Sequence, residues 1–260
     1  MSTVYFNHMP RTGGTHLIES LKKSNFFNLI TVYNTNMNPE LKEEDMFNAN
    51  FIHGHAGYGP NLINKEIKTI TLLRNPIERV CSYFATLYEL VNDLEFDPSG
   101  FMDNKDNFYT VITTHQDNKD PIKMFDYWLN HTKYSITKSN EQSYSLVFAR
   151  KQPIVNKILK NVTPYKEFSR QDLLRSTVLE NFSKLSLVGT TEEMDKFLEK
   201  CFDFLNLEFN LSLKNPNILN ETNNSDLTNI IFKSLDDSQI EKITKINSID
   251  FEIWKLAGQN

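Results

Sequence analysis

Three shortages narrow what this sequence can do. It has only two cysteines in 260 residues, Cys81 and Cys201. Both sit in patterns that read as helical and apolar, which fits reduced thiols better than a disulfide framework. It has no basic excess: the formal net charge is −5 and the pI is near 5.7, which argues against a dedicated nucleic-acid surface. It also lacks the run of roughly 20 apolar residues that a membrane-spanning helix requires, and no basic leader precedes the first apolar segment at Val4. The expectation is a soluble, cytoplasmic protein with no nucleic-acid or membrane partner, built as a single domain over 1–260 and long enough to bury a sizeable core. Oligomeric state is open. Two phosphate-binding signatures are missing as well: the chain has neither G-x-x-x-x-G-K-[ST] nor G-x-G-x-x-G.

What is there begins at once. Val4-Tyr5-Phe6 reads as a strand, Met9-Pro10-Arg11-Thr12-Gly13-Gly14-Thr15 as a turn, and Leu17, Ile18 and Leu21 as the inner side of a helix starting at Thr15. Adjacent glycines let backbone N–H groups converge, and a helix N-terminus carries partial positive charge. With Arg11 this is the composition of an anion cradle. It is equally the composition of a tight βα turn that uses its glycines for geometry alone.

Further strands are expected at Asn28–Tyr33, at Phe51-Ile52-His53 and at Lys68–Leu73, with a short polar helix near Glu40–Phe47 between the first two. At Arg74 the last of these strands stops and a helix starts, with Asn75 as N-cap, Pro76 in the first helical position and Glu78 at the capping-box site. A late strand at Leu185–Gly189 leads through Thr190-Thr191-Glu192-Glu193, read as a cap, into a helix carrying Met194, Phe197, Leu198, Cys201 and Phe202. A polar loop at Asn206–Ser225 and a closing helix near Asp237–Leu256 complete the chain. Strand-then-helix order argues for an α/β fold with a mainly parallel sheet flanked by helices. Such sheets bind ligands at the carboxyl ends of their strands. The first turn, the His53–Gly59 loop and Arg74 all fall there.

Arg74, at a strand end before a capped helix, suits an anion, and Ser82 two turns later could add a hydroxyl donor. Arg79 reads better as the partner of a carboxylate. His53 and His55 are two apart, so on a strand both imidazoles face one side. No Cys, Asp or Glu nearby completes a zinc set, so no metal is expected, and a neutral imidazole is a ready general base. His8, His16, His115 and His131 are isolated and read as structural or surface. The aromatics Phe125, Tyr127 and Trp128 lie in a polar stretch that suits either a core or an acceptor cleft.

Taken together, these segments resemble the PAPS-dependent sulfotransferases (PAPS is 3′-phosphoadenosine 5′-phosphosulfate), closest in motifs to the branch of the heparan sulfate 2-O- and 6-O-sulfotransferases. Met9–Thr15 is similar to that family's 5′-phosphosulfate loop, P-K-T-G-G-T. Leu73–Tyr83 is similar to its 3′-phosphate motif, R-D-P-x-x-R-x-x-S-Y. Phe51–His55 resembles F-x-H-G-H, and Leu187–Glu193 resembles a late V-G-x-T-E-E stretch. Order and approximate spacing match over roughly residues 4–205. The resemblance implies a P-loop-like nucleotide-binding architecture and sulfuryl transfer from PAPS, without metal, to an acceptor hydroxyl on a carbohydrate or small molecule. By it Arg11, Thr12, Gly13, Gly14 and Thr15 hold the 5′ end, and Arg74 and Ser82 hold the 3′-phosphate. His55 is the base, His53 positions the acceptor or orients His55, and Arg11 stands where the family has lysine. Asn75 stands where it has Asp. An ATP-dependent phosphotransferase with an atypical P-loop and a non-catalytic nucleotide-binding protein are the alternatives.

Overall fold

A computed structural model describes residues 3–24, 26, 29–32, 48–55, 57–58, 67–92, 119–131, 140–147, 171–214 and 226–259. The helix expected near 40–47, the end of the glycine-rich loop at 59–60 and the stretch 93–118, with His115, lie outside the described residues. The chain divides into two compact units, one of Met1–Arg74, Gln142–Asn220 and Glu252–Asn260, the other of Asn75–Glu141 and Glu221–Phe251.

The first unit holds the sheet. Strands β1 (Thr3–Asn7), β2 (Leu29–Val32), β3 (Phe51–Gly54), β4 (Ile67–Leu73) and β5 (Leu187–Thr190) run in the order β2-β3-β1-β4-β5. Every pairing is parallel, so the expected α/β class with a parallel sheet and helices is present. The register explains the core. Val4 and Phe6 on β1, Phe51 on β3, and Ile70 and Leu72 on β4 share one face. They pack with Leu17, Ile18 and Leu21 of α1 (Gly14–Lys23) and with Met194, Phe197, Leu198, Cys201 and Phe202 of α6 (Met194–Phe209). Gly189 of β5 lies on that face as well, and a Cβ there would stand 2.3 Å from the Phe197 ring, so only glycine lets α6 pack this close. The opposite face is more polar: Thr3, Asn7 and Thr71 are buried there, each with its side chain hydrogen-bonded to backbone.

The second unit is helical. Its core joins Val80, Cys81, Phe84, Ala85 and Tyr88 of α2 (Pro76–Asn92) to Met124, Phe125, Trp128 and Leu129 of α3 (Pro121–His131). Ile231 of α7 (Asp226–Ser234) and Ile243 of α8 (Asp237–Ile246) complete it. Phe125 and Trp128, 1% and 2% exposed, are therefore core residues. Asn75 caps α2 as expected, its Oδ1 accepting from the Ile77 N–H at 2.9 Å. Arg79, fully buried, pairs with Glu141, the carboxylate partner its sequence context suggests. Among the described residues the remaining helices are α4 (Glu141–Ser145), α5 (Gln171–Ser183) and α9 (Ser248–Ala257).

Four sequence expectations shift. α1 begins at Gly14, one residue before Thr15. The segment Thr191–Glu193 is a turn of 3-10 helix with no side-chain cap, in place of the expected capping sequence. α6 continues past Asn206 to Phe209, and Asn206 instead pins the following loop, its side chain bonding both the N–H and the carbonyl of Leu213. The closing helix is two helices broken at Asn247. There the Asn247 Oδ1 accepts from the Asn140 N–H, while the Asn140 Oδ1 accepts from the first-turn N–H groups of Ile249 and Asp250. Asn140 thus supplies an N-cap from more than a hundred residues away.

Candidate functional site

The parallel register assembles the candidate site in the first unit. β1 lies between β3 and β4, so the chain leaving β1, the residues following Gly54 and the residue following Leu73 emerge side by side. Asn7 pairs with Gly54, and the His8 N–H continues the ladder by donating to the Gly54 carbonyl at 3.1 Å. One further step lays His8 beside His55. Their rings are 4.7 Å apart, and the His8 ring stacks on Phe6 at 5.4 Å. His8, read from sequence as isolated, is a member of the histidine cluster.

The cluster has a defined protonation pattern. The Nδ1 of His55 is hydrogen-bonded to the backbone carbonyl of His8. A carbonyl only accepts, so the proton sits on Nδ1, and the Nε2 of neutral His55 carries a lone pair. Burial, reinforced by His55 and His53, pushes the His8 pKa down to about 3. Burial again, with Lys22 and then His55 as neighbours, lowers that of His53 to about 4. Both rings are neutral at pH 7. His53 is 2% exposed, on the sheet face that α1 covers, whereas His55 is partly exposed.

The turn between β1 and α1 has unusual backbone. Arg11 adopts φ +67° and Gly13 φ +75°. Left-handed backbone is routine for glycine and uncommon for arginine. A Cβ on Gly13 would meet Met194 at 2.6 Å, and one on Gly14 would meet the His8 ring at 2.1 Å. Both glycines thus have a steric reason within the fold itself. The Thr12 hydroxyl is buried and donates to the Met9 carbonyl at 2.9 Å, closing the turn. Thr15 and the Arg11 side chain are exposed. The first N–H groups of an α-helix lack intrahelical acceptors, and those of α1 belong to Gly14 and Thr15.

Arg74 follows β4 directly and is 8% exposed. Its guanidinium donates to the Arg11 carbonyl at 3.3 Å, tying the strand end to the turn. The Arg74 backbone is held from α4: its N–H donates to the Gln142 Oε1, and the Gln142 Nε2 donates to its carbonyl, both at 2.9 Å. Three residues on, Ser145 makes a reciprocal pair with Asn7, the last residue of β1. Gln142 and Ser145 have no sequence motif to announce them. Ser82 belongs to the second unit, where it is buried on α2. Among the described residues no group of three or more His, Cys, Asp or Glu side chains is placed to hold a metal ion. Nor is any helix among them long and apolar enough to cross a membrane.

The donors and acceptors at these strand ends suit an anionic ligand next to a histidine. They comprise one buried arginine with five N–H donors, one exposed arginine, a helix N-terminus and the Nε2 of His55. No protein-family model matches the chain, and no curated protein matches its sequence.

Proposed function

We propose that the chain transfers a sulfuryl group from PAPS to a hydroxyl of a carbohydrate or small molecule, with His55 as general base. The observation that carries this reading is the adjacency of three motif-bearing strand ends, those of β3, β1 and β4, in one parallel sheet. The donor set fits a nucleotide phosphorylated at two positions. The N–H groups of Gly13, Gly14 and Thr15 and the Arg11 side chain would hold the 5′ end, with Thr12 shaping the turn through its bond to Met9. Arg74 would hold the 3′-phosphate; the corresponding role of Ser82 rests on the sequence resemblance. When bound, PAPS supplies an activated sulfuryl group whose leaving group, a 5′-phosphate, needs negative charge stabilised as it departs.

The chain's own contribution follows from its donors. Fixed N–H groups and an arginine stabilise growing negative charge without reorganising, which makes such preorganised donors effective. His55 takes the acceptor proton at Nε2 and becomes an imidazolium whose Nδ1–H still binds the His8 carbonyl. Of the two roles expected of His53, its burial supports orienting His55 over contact with the acceptor.

The test is nucleotide preference. Calorimetric titration with 3′-phosphoadenosine 5′-phosphate should give saturable binding without Mg²⁺, and PAPS should support sulfuryl transfer to at least one member of a mixed hydroxyl panel. Preference for ATP with Mg²⁺ would move the protein to the phosphotransferases. Tight bisphosphate binding with neither transfer nor donor hydrolysis would make it a non-catalytic nucleotide-binding protein.

A further inference from the structure

Helix α4 is barely more than one turn long, yet it grips the carboxyl ends of two neighbouring inner strands: Gln142 at β4 and Ser145 at β1. We infer that Gln142 is the positioning residue that sets Arg74 for anion binding. This rests on the proposed nucleotide site and deepens it. The Gln142 side chain is fully buried, and its carboxamide bonds both backbone groups of Arg74 at 2.9 Å. This is the pairing a neighbouring strand would give, supplied where the sheet has ended. It extends the β4 ladder by one residue and fixes the Arg74 backbone, the base from which the guanidinium reaches the Arg11 carbonyl.

The chemistry is specific to glutamine. The site needs one acceptor for the N–H and one donor for the carbonyl, at the reach of a two-methylene stem. Glutamate has the shape but no donor when ionised, and so faces the Arg74 carbonyl with a negative oxygen. Gln142 touches no ligand in this reading; it acts through Arg74.

Gln142→Ala and the isosteric Gln142→Glu should each raise the dissociation constant for 3′-phosphoadenosine 5′-phosphate roughly 10-fold, as for residues coupled within one hydrogen-bond network. In an Arg74→Ala background that loss should nearly vanish. A merely structural role would give the same loss in both backgrounds, and that additivity would overturn the inference. A ligand-free readout separates this from failure of the nucleotide reading. In ¹⁵N-arginine-labelled protein, the Arg74 Nε–H resonance, identified by its disappearance in Arg74→Lys, should shift and exchange faster with solvent in either Gln142 variant. If wild-type protein binds no bisphosphate nucleotide but this resonance responds, the nucleotide assignment falls and the positioning role stands. If it does not respond, Gln142 does not position Arg74.

Discussion

At the scale of single residues, His55 and Arg74 carry the sharpest expectations. His55 has its Nδ1 proton committed to the His8 carbonyl, so Nε2 alone can accept a proton from substrate. His55→Ala should lower transfer turnover by about 10²–10⁴-fold, the usual weight of a general base. Binding of 3′-phosphoadenosine 5′-phosphate should be unaffected. Transfer kinetics alongside calorimetry check both halves, and turnover at the wild-type rate would remove His55 from the chemistry. Arg74→Ala should weaken the same nucleotide by about 1.5–3 kcal/mol, the range for a charge-assisted hydrogen bond; an unchanged affinity would detach Arg74 from the anion. These two residues were legible because each sits in a local motif at a strand end. Two other residues, and the backbone of a third, were not. His8 joins the cluster through the β1–β3 register, Gln142 acts 68 positions from its partner, and the left-handed backbone of Arg11 occurs where sequence rules would ask for glycine.

At the scale of elements, the sheet was readable and the helix boundaries less so. Strands β1, β3 and β4 and the capped start of α2 follow from β-branched runs, Asn75 and Pro76, all of them local signals. The break between α8 and α9 is different. Asn247 is an ordinary helix residue by propensity, and the interruption depends on Asn140, which bonds Asn247 through its N–H and caps α9 through its side chain. A long-range hydrogen bond leaves no local trace. The β1–α1 turn shows the same mixture, because its glycine pair was visible while the reason for Gly14 was not. A Cβ there enters the His8 ring at 2.1 Å, and that ring is packed on Phe6 and buried. Gly14→Ala should therefore destabilise the protein by about 1–3 kcal/mol, the usual range for overpacking. Because the clash is with one ring, the double variant Gly14→Ala/His8→Ala should lose less than the sum of the two single losses. Urea denaturation of the four proteins measures this, and simple additivity would mean that the His8 ring is not what Gly14 accommodates.

At the scale of the whole molecule, the buried histidines make stability depend on pH. His8 and His53 have pKa values lowered to about 3 and about 4, against 6.5 in the unfolded chain. Between those limits the unfolded state binds more protons than the folded one, so stability falls as pH falls. The full stability is present above pH 6.5, and the loss grows until the folded-state values are reached. One unit below the unfolded value, at pH 5.5, each histidine costs about 1.4 kcal/mol, so the melting temperature should drop visibly between pH 7.5 and pH 5.5. Replacing His8 or His53 with Asn should flatten that profile. The two thiols say where the loss falls. Cys201 lies in the core of the first unit, where burial pushes its pKa up to about 12, and Cys81 lies in the core of the second. Both lowered histidines belong to the first unit. Acidification should therefore speed the reaction of Cys201 with dithiodipyridine, a reagent that still works at acid pH, more than that of Cys81. Equal acceleration would show that the two units open as one cooperative body. A Cys201 rate that does not respond to pH would mean that neither histidine is held neutral by the fold.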